Sequence, residues 1–373
     1  MSAPSPLLRR APGRKDRNAE TNRRACATPE PETGMFHKPL TCCALAAAVA
    51  TAALAAPASA TNVNFMMDWA WQGPQAFALV ARNSGCFADG GVNITLDRGF
   101  GSGRVPVELA SGTYDMGVAD INPSIKFRAE NPDSDIIAVG ILLTKSPLVA
   151  VVKADSGIET PQDLEGRTLA APDFDAGRQL FPLFAEATGI DASTVNWISV
   201  TPELREPMLV QGQADGVTGF ITSSVPSLAR LGLAVEDQRV FRYADFGVEL
   251  YSTAILTTRR FAEANPEAVR TVVGCLIEGF RQAEHDPEAA IEALAAHEPL
   301  TDKPVELGRW TMTLEEQVRI DEVRENGVSF VDMERLQRTI EGVERAYGLE
   351  PTLQADDLFT PEFLPPQEAR MLL

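Results

Sequence analysis

The chain has 373 residues, 45% of them hydrophobic, and carries 52 Asp+Glu against 33 Lys+Arg, a formal net charge of −19. A surface this acidic repels nucleic acid and anionic lipid, and nucleic acid is not expected as a partner. The length is ample for two domains of ordinary size.

The first 60 residues read as processing sequence rather than fold. Residues 1–34 look like an extension from a start codon placed too early, with Met35 as the true start. Residues 35–60 then form a cleaved signal peptide: a weakly basic stretch from Met35 to Lys38, an Ala-rich apolar run, and Ala58-Ser59-Ala60 as the cleavage signal. Arg9-Arg10 and Arg23-Arg24 have no apolar segment close behind them, and Cys42-Cys43 begins the apolar run rather than ending it. Neither a twin-arginine signal nor a lipoprotein anchor fits. The product would be exported to the periplasm. Removing residues 1–60 takes away 8 basic and 4 acidic residues, leaving 25 against 48 and a net of −23. Cys86 and Cys275 remain, either as a disulfide or as two buried thiols.

A first strand is expected over 63–68 and a helix over 74–84, with Pro74 in its first turn and Gly85 at its stop. A strand at 92–96, a helix at 104–111, a strand at 114–119 and a helix at 123–130 follow. Residues 136–152 are β-branched and apolar except at Thr144-Lys145-Ser146-Pro147, so they read as two strands with a crossing between lobes. The second lobe continues with a capped turn at 160–164 and strands at 168–171, 195–200 and 215–220. Helices at 175–188, 202–211 and 223–231 alternate with these strands. A strand at 251–257 returns to the first lobe. Helices at 267–283, 287–297, 305–313 and 332–347 follow, and the Pro-rich, acidic tail 351–373 is expected to wrap the surface. The alternation makes the chain α/β with mainly parallel sheets. Residues 61–148 and 253–350 form one lobe and 149–252 the other. Two crossings make a hinge, and the cleft between the lobes is the ligand site.

No catalytic constellation presents itself. GxSxG, P-loop and HExxH patterns are missing, and His285 and His297 fall on late helices as expected surface residues. The sequence calls for no cofactor and no metal. Binding is better served, because open α/β sheets bind ligands at strand C-termini. Five segments sit there. Asp68-Trp69-Ala70-Trp71-Gln72 combines two indoles for stacking with a carboxylate that accepts from an amine. Gly101-Ser102-Gly103 precedes a helix and would offer free backbone N–H groups. Asp120 and Asn122 end a strand and read donors and acceptors or cap the next helix. Asp173 follows the first strand of the second lobe. Tyr243 and Tyr251 flank the return crossing, and Phe220 could turn a ring into the same cleft. Lys145, Arg178 and Arg205 are the candidate cations, and each is expected to be solvated. The pocket so described has aromatic faces, several carboxylates and few positive charges.

The runs MMDWAWQGPQAFALVARNSGCF, GFGSG, LASGTYDMGVADIN and REPMLVQGQADGVTGF resemble a family of periplasmic solute-binding proteins that serve ABC importers. These relatives bind thiamine-pyrimidine precursors, sulfonates and nitrate. The resemblance covers nearly all of residues 62–347. It implies the type II periplasmic binding protein fold, in which two α/β lobes close on a ligand by a hinge. It also implies ligand-facing roles for Trp69, Trp71, Gly101, Ser102, Gly103 and Asp120. The implied partners are a small molecule and the permease and ATPase of an importer, with the protein itself monomeric. A flat nitrogen-bearing heteroaromatic is the favoured ligand, and small organic anions such as sulfonates are the rival. Pyrimidine-synthesising enzymes share the fold, but they need a cysteine-rich iron-associated segment and a pocket histidine, neither of which is present. The pyrimidine binders usually carry an Asn-Pro-x-His-like stretch after the first Asp-Trp, where this chain has Ala70-Trp71-Gln72-Gly73-Pro74.

Overall fold

The computed structural model describes residues 60–373. The expected N-terminal extension and the signal peptide up to residue 59 lie outside the described residues. In chain order the first lobe opens with β1 (Thr61–Met66), α1 (Ala76–Asn83), α2 (Cys86–Asp89), β2 (Val92–Asp97), α3 (Arg104–Ser111), β3 (Met116–Asp120), α4 (Ile121–Glu130) and β4 (Ile136–Ile141). The second lobe is β5 (Leu148–Lys153), β6 (Thr168–Ala171), α5 (Ala176–Gln179), α6 (Phe181–Thr188), β7 (Asn196–Ser199), α7 (Arg205–Val210), β8 (Gly216–Phe220), α8 (Ile221–Arg230) and β9 (Gln238–Arg242). The chain returns through β10 (Thr253–Thr258) and ends in α9 (Arg259–Ala264), α10 (Pro266–His285), α11 (Pro287–His297), α12 (Lys303–Thr313), α13 (Asp321–Asn326), α14 (Met333–Ala346) and α15 (Ala355–Leu358).

Two five-stranded sheets result, in the orders β2-β1-β3-β10-β4 and β7-β6-β8-β5-β9. They share one plan. In each, the strand that has just crossed from the other lobe inserts between the third and fourth local strands. It runs antiparallel to both neighbours, as β10 does to β3 and β4, and β5 to β8 and β9. The sheets are therefore mixed, not mainly parallel. A strand entering from the opposite lobe arrives from the cleft end, against the direction of the local βαβ units. The run 136–152 divides as its Thr-Lys-Ser-Pro interruption suggests, with β4 in one sheet and β5 in the other. β9 has no counterpart in the sequence reading, because Gln238 and two arginines mask a short edge strand.

Helix α10 anchors the first lobe. Val269, Val272, Val273, Leu276, Ile277 and Phe280 recur every three or four residues and are all buried, which puts them on the side packed against α1. Each contributes about 1.5–3 kcal/mol of burial free energy. Cys86 of α2 and Cys275 of α10 form a disulfide with Cα atoms 5.8 Å apart, resolving the two alternatives the sequence left open. The tail does more than wrap the surface. Leu358, Phe359 and Phe363 are buried, and Phe359 bridges to Ala138 of β4.

Candidate functional site

β1 ends at Met66, and the chain then turns away from the sheet with Asp68 and Trp69 buried beneath the cleft. Gln75 Nε2 donates to Asp68 Oδ1 at 3.2 Å and Ser102 Oγ to Oδ2 at 3.4 Å. These two bonds do not match the cost of burying the charge, and burial pushes the Asp68 pKa up from 3.8 to about 6. Behind it, Asp120 caps α4 and accepts from Asn122 N, Asn122 Nδ2 and Ser252 Oγ. Burial lifts Asp120 to about 6 as well, and the nearby Asp68 charge adds to the rise.

The second lobe answers with Arg205, at the start of α7. Its side chain is 2% exposed and pairs with Asp175 at 3.0 Å and Glu206 at 2.7 Å. Nη2 also donates to Ser223 Oγ. Burial alone would lower the Arg205 pKa, but Glu206 and Asp175 hold it above its ordinary value. Burial in turn pushes Asp175 up, against the pull of Arg205. The guanidinium stacks 4.7 Å from the centre of the Trp69 ring, so the contact spans the two lobes.

A narrow cavity lies between these walls. A second shares Asp68, Pro74, Gln75, Phe220 and Thr222 with it and continues into an apolar end lined by Phe77, Leu142 and Phe280. Gln75 is 9% exposed and its Oε1 has no hydrogen-bond partner among the described residues. The site thus sets the Asp68 carboxylate and the Gln75 amide against Trp69 and Phe220, with Asp175, Arg205, Thr222 and Ser223 facing them from the second lobe. A carboxylate and an amide oxygen can both accept N–H donors.

Six of the sequence-nominated residues line the cavity: Asp68, Trp69, Gln72, Gly101, Ser102 and Phe220. Seven do not. Trp71 packs edge-to-face on His297 of α11, with ring centres 4.9 Å apart, and belongs to the flank of the first core. Asp120 and Asn122 are fully buried behind Ser102, wired to the backbone. Asp173 is exposed and pairs with Arg178 on the outside. Tyr243 stacks on Phe184 and donates to Gly177 O, inside the second lobe. Tyr251 is buried at the hinge, where its hydroxyl accepts from Asp332 N and Arg335 covers its ring.

The seventh is Gly103, and the whole glycine loop departs from expectation. Gly101 N donates to Asp68 O and Gly103 N to Phe174 O, so neither N–H is free for an anion. The glycines serve close approach instead. Gly101 has φ +131°, and a Cβ there would meet Phe174 O at 2.4 Å across the cleft. Arg205, expected to be solvated, is a buried wall of the site. Asp175, which shares the nominated segment with Asp173, also lines it, as do Gln75, Thr222 and Ser223, which were not nominated. All four sit in or beside first helical turns that follow strand ends, which is the one signal that could have found them.

The family model described as NMT1/THI5 like matches residues 74–290. The formylaminopyrimidine-binding protein of Halalkalibacterium halodurans is 26% identical over 249 residues, covering 65% of this chain and 73% of that protein. Among solved structures, the alkanesulfonate-binding protein SsuA of Xanthomonas axonopodis, bound to MOPS, superimposes with a TM-score of 0.64 at 18% identity. The match covers 81% of this chain and 100% of that one. The periplasmic nitrate-binding protein NrtA of Synechocystis matches with a TM-score of 0.62 at 11% identity, over 83% and 88% of the two chains. The fold is that of the periplasmic binding proteins.

Proposed function

We propose that this chain, which belongs to the NMT1/THI5 like family, is the exported ligand-capturing component of an ABC importer and takes a small amino-substituted pyrimidine. The lobes close on the ligand, and the closed form is offered to a membrane permease. The chain acts as a monomer, needs no cofactor or metal, and makes or breaks no bond in the ligand. The relative from Halalkalibacterium halodurans is named for formylaminopyrimidine, which fixes the class to test first.

The observation that carries the reading is the buried Asp68 carboxylate beside the unpartnered Gln75 Oε1. Two acceptors side by side suit the two N–H bonds of an exocyclic amine, while Trp69 supplies a flat face. Arg205 is the feature that favours a sulfonate or another organic anion. Its guanidinium, however, already donates to Asp175, Glu206 and Ser223. With Asp68, Asp175 and Glu206 set against one arginine, the cleft carries more negative than positive charge, and an anion would enter against that field.

A thermal-shift panel of aminopyrimidines, including formylaminopyrimidine, against alkanesulfonates and nitrate tests the reading. Stabilisation by the pyrimidines alone supports it. Stabilisation by sulfonates alone assigns the site to anions.

A further inference from the structure

Helix α8 contains Pro226 in its second turn. Proline has no N–H, so the carbonyl of Thr222, four residues earlier, loses its usual helical donor. Arg309 of α12 fills the gap. Its Nη1 donates to Thr222 O at 3.0 Å and also to Ser223 O, and its Nη2 donates to Ser227 Oγ at 2.8 Å. The arginine is 2% exposed, and its charge is paired with Glu306 one turn earlier, at 3.1 Å. Glu306 reaches the other way and accepts from Gly73 N at 2.7 Å. A Cβ on Gly73 would lie 2.1 Å from Glu306 O, so only glycine lets the loop approach α12 this closely.

Gly73 stands between Gln72 and Pro74, and both neighbours line the ligand cavity, as do Thr222 and Ser223. One ion pair on α12 therefore holds a cleft loop of the first lobe by one end and a cleft helix of the second by the other.

We propose that Glu306 and Arg309 form a closure latch, with the carbonyl gap opened by Pro226 as its socket, and that Arg309 is a positioning residue for ligand retention. This deepens the reading of a hinge-closing binder and rests on it. In the closed form the latch satisfies a buried guanidinium and an orphan carbonyl together. Opening the cleft on the α8 side strips partners from both, so the latch biases the protein toward closure whether or not a ligand is bound.

The test uses the full mature chain with nitroxide labels at Ser111→Cys and Gln213→Cys, one in each lobe, read by pulsed electron resonance without ligand. Arg309→Ala is expected to shift the distance distribution toward the open form, lowering the closed fraction at least fivefold. Pro226→Ala restores the helical donor, leaves every charge in place, and is expected to shift it in the same direction by less. The double variant should be as open as Arg309→Ala but more resistant to heat, because the backbone N–H regained at position 226 takes over the Thr222 carbonyl. With formylaminopyrimidine as the probe, Arg309→Ala should raise the dissociation rate about tenfold with little change in the association rate. Ligand-free distance distributions identical to wild type in both Arg309→Ala and Pro226→Ala would overturn the latch. The distance measurement needs no ligand, so failure of the pyrimidine reading leaves it decisive. Should Arg309→Ala not fold, Pro226→Ala alone carries the test.

Discussion

The guanidinium of Arg205 lies 4.7 Å over the ring of Trp69, and the two residues belong to opposite lobes. Asp175 and Glu206 hold the arginine in place, so it packs against the indole as a fixed wall rather than as a free cation. The tryptophans two residues apart therefore have different duties. Trp69→Ala should weaken ligand binding by more than ~1 kcal/mol, the scale of an aromatic stacking contact, and also lower stability, because the indole is buried under Arg205. Trp71→Ala should leave affinity unchanged and lower the unfolding free energy by about 1–3 kcal/mol, because it removes packing against α11. Calorimetric titration and denaturant unfolding of both variants check this. Equal loss of affinity in both would show that Trp71 reaches the ligand.

Asp68→Asn separates stability from binding. The substitution keeps an oxygen for Gln75 Nε2 and presents an amide to Ser102 Oγ. It also removes a buried charge that raises the energy of the folded state. The ligand-free variant should be more stable than wild type at pH 7.5, by about 1–3 kcal/mol, and should bind at least a hundredfold more weakly. A variant less stable than wild type would show that the ionised carboxylate supports the fold.

The pH dependence has a definite sign. Burial lifts Asp68 and Asp120 from 3.8 to about 6 in the folded protein. Between those values the folded chain binds protons more readily than the unfolded one. The stability change from these two groups is therefore favourable on acidification, and the destabilisation they cause is complete above about pH 6 and gone below about pH 4. Ligand affinity runs the other way, because an N–H donor binds an ionised carboxylate more strongly than a protonated one. The ligand-induced rise in Tm at pH 7.5 should shrink at pH 5. A rise that grows on acidification would contradict an ionised Asp68 as the acceptor.

The disulfide should matter for stability and not for recognition. It joins residues 189 positions apart on α2 and α10, and neither cysteine lines the cavity. The chain entropy it removes from the unfolded state is worth up to about 5 kcal/mol. Cys86→Ser with Cys275→Ser, or reduction, should lower Tm by several degrees and leave Kd within about twofold for the folded fraction.

Much of the architecture was legible because strand and helix periods alternate cleanly and the Thr144–Pro147 interruption marks a crossing. Strand direction was not, since β5 and β10 look like any apolar strand until their partners are known. The site was legible to the level of loops. Strand ends located the stretches around Asp68, Gly101 and Phe220, but nothing local says which of Trp69 and Trp71, or of Asp173 and Asp175, turns inward. Arg205 was hidden for a related reason. Arginine beside Glu206 in a first helical turn reads as a solvated pair, and its burial depends on Asp175, 30 residues earlier in the chain. Free amides at Gly101 and Gly103 were a local inference, undone by acceptors at Asp68 and Phe174 that only the fold supplies.

The most direct measurement is calorimetric titration of the mature protein at pH 7.5 with formylaminopyrimidine and, separately, with an alkanesulfonate, in wild type and Asp68→Asn. The pyrimidine should bind wild type at one site per chain with a micromolar or lower Kd, lose that affinity in Asp68→Asn, and find no competitor in the sulfonate. Sulfonate binding to both proteins, with no heat from the pyrimidine, would contradict the assignment and give the cleft to anions through Arg205.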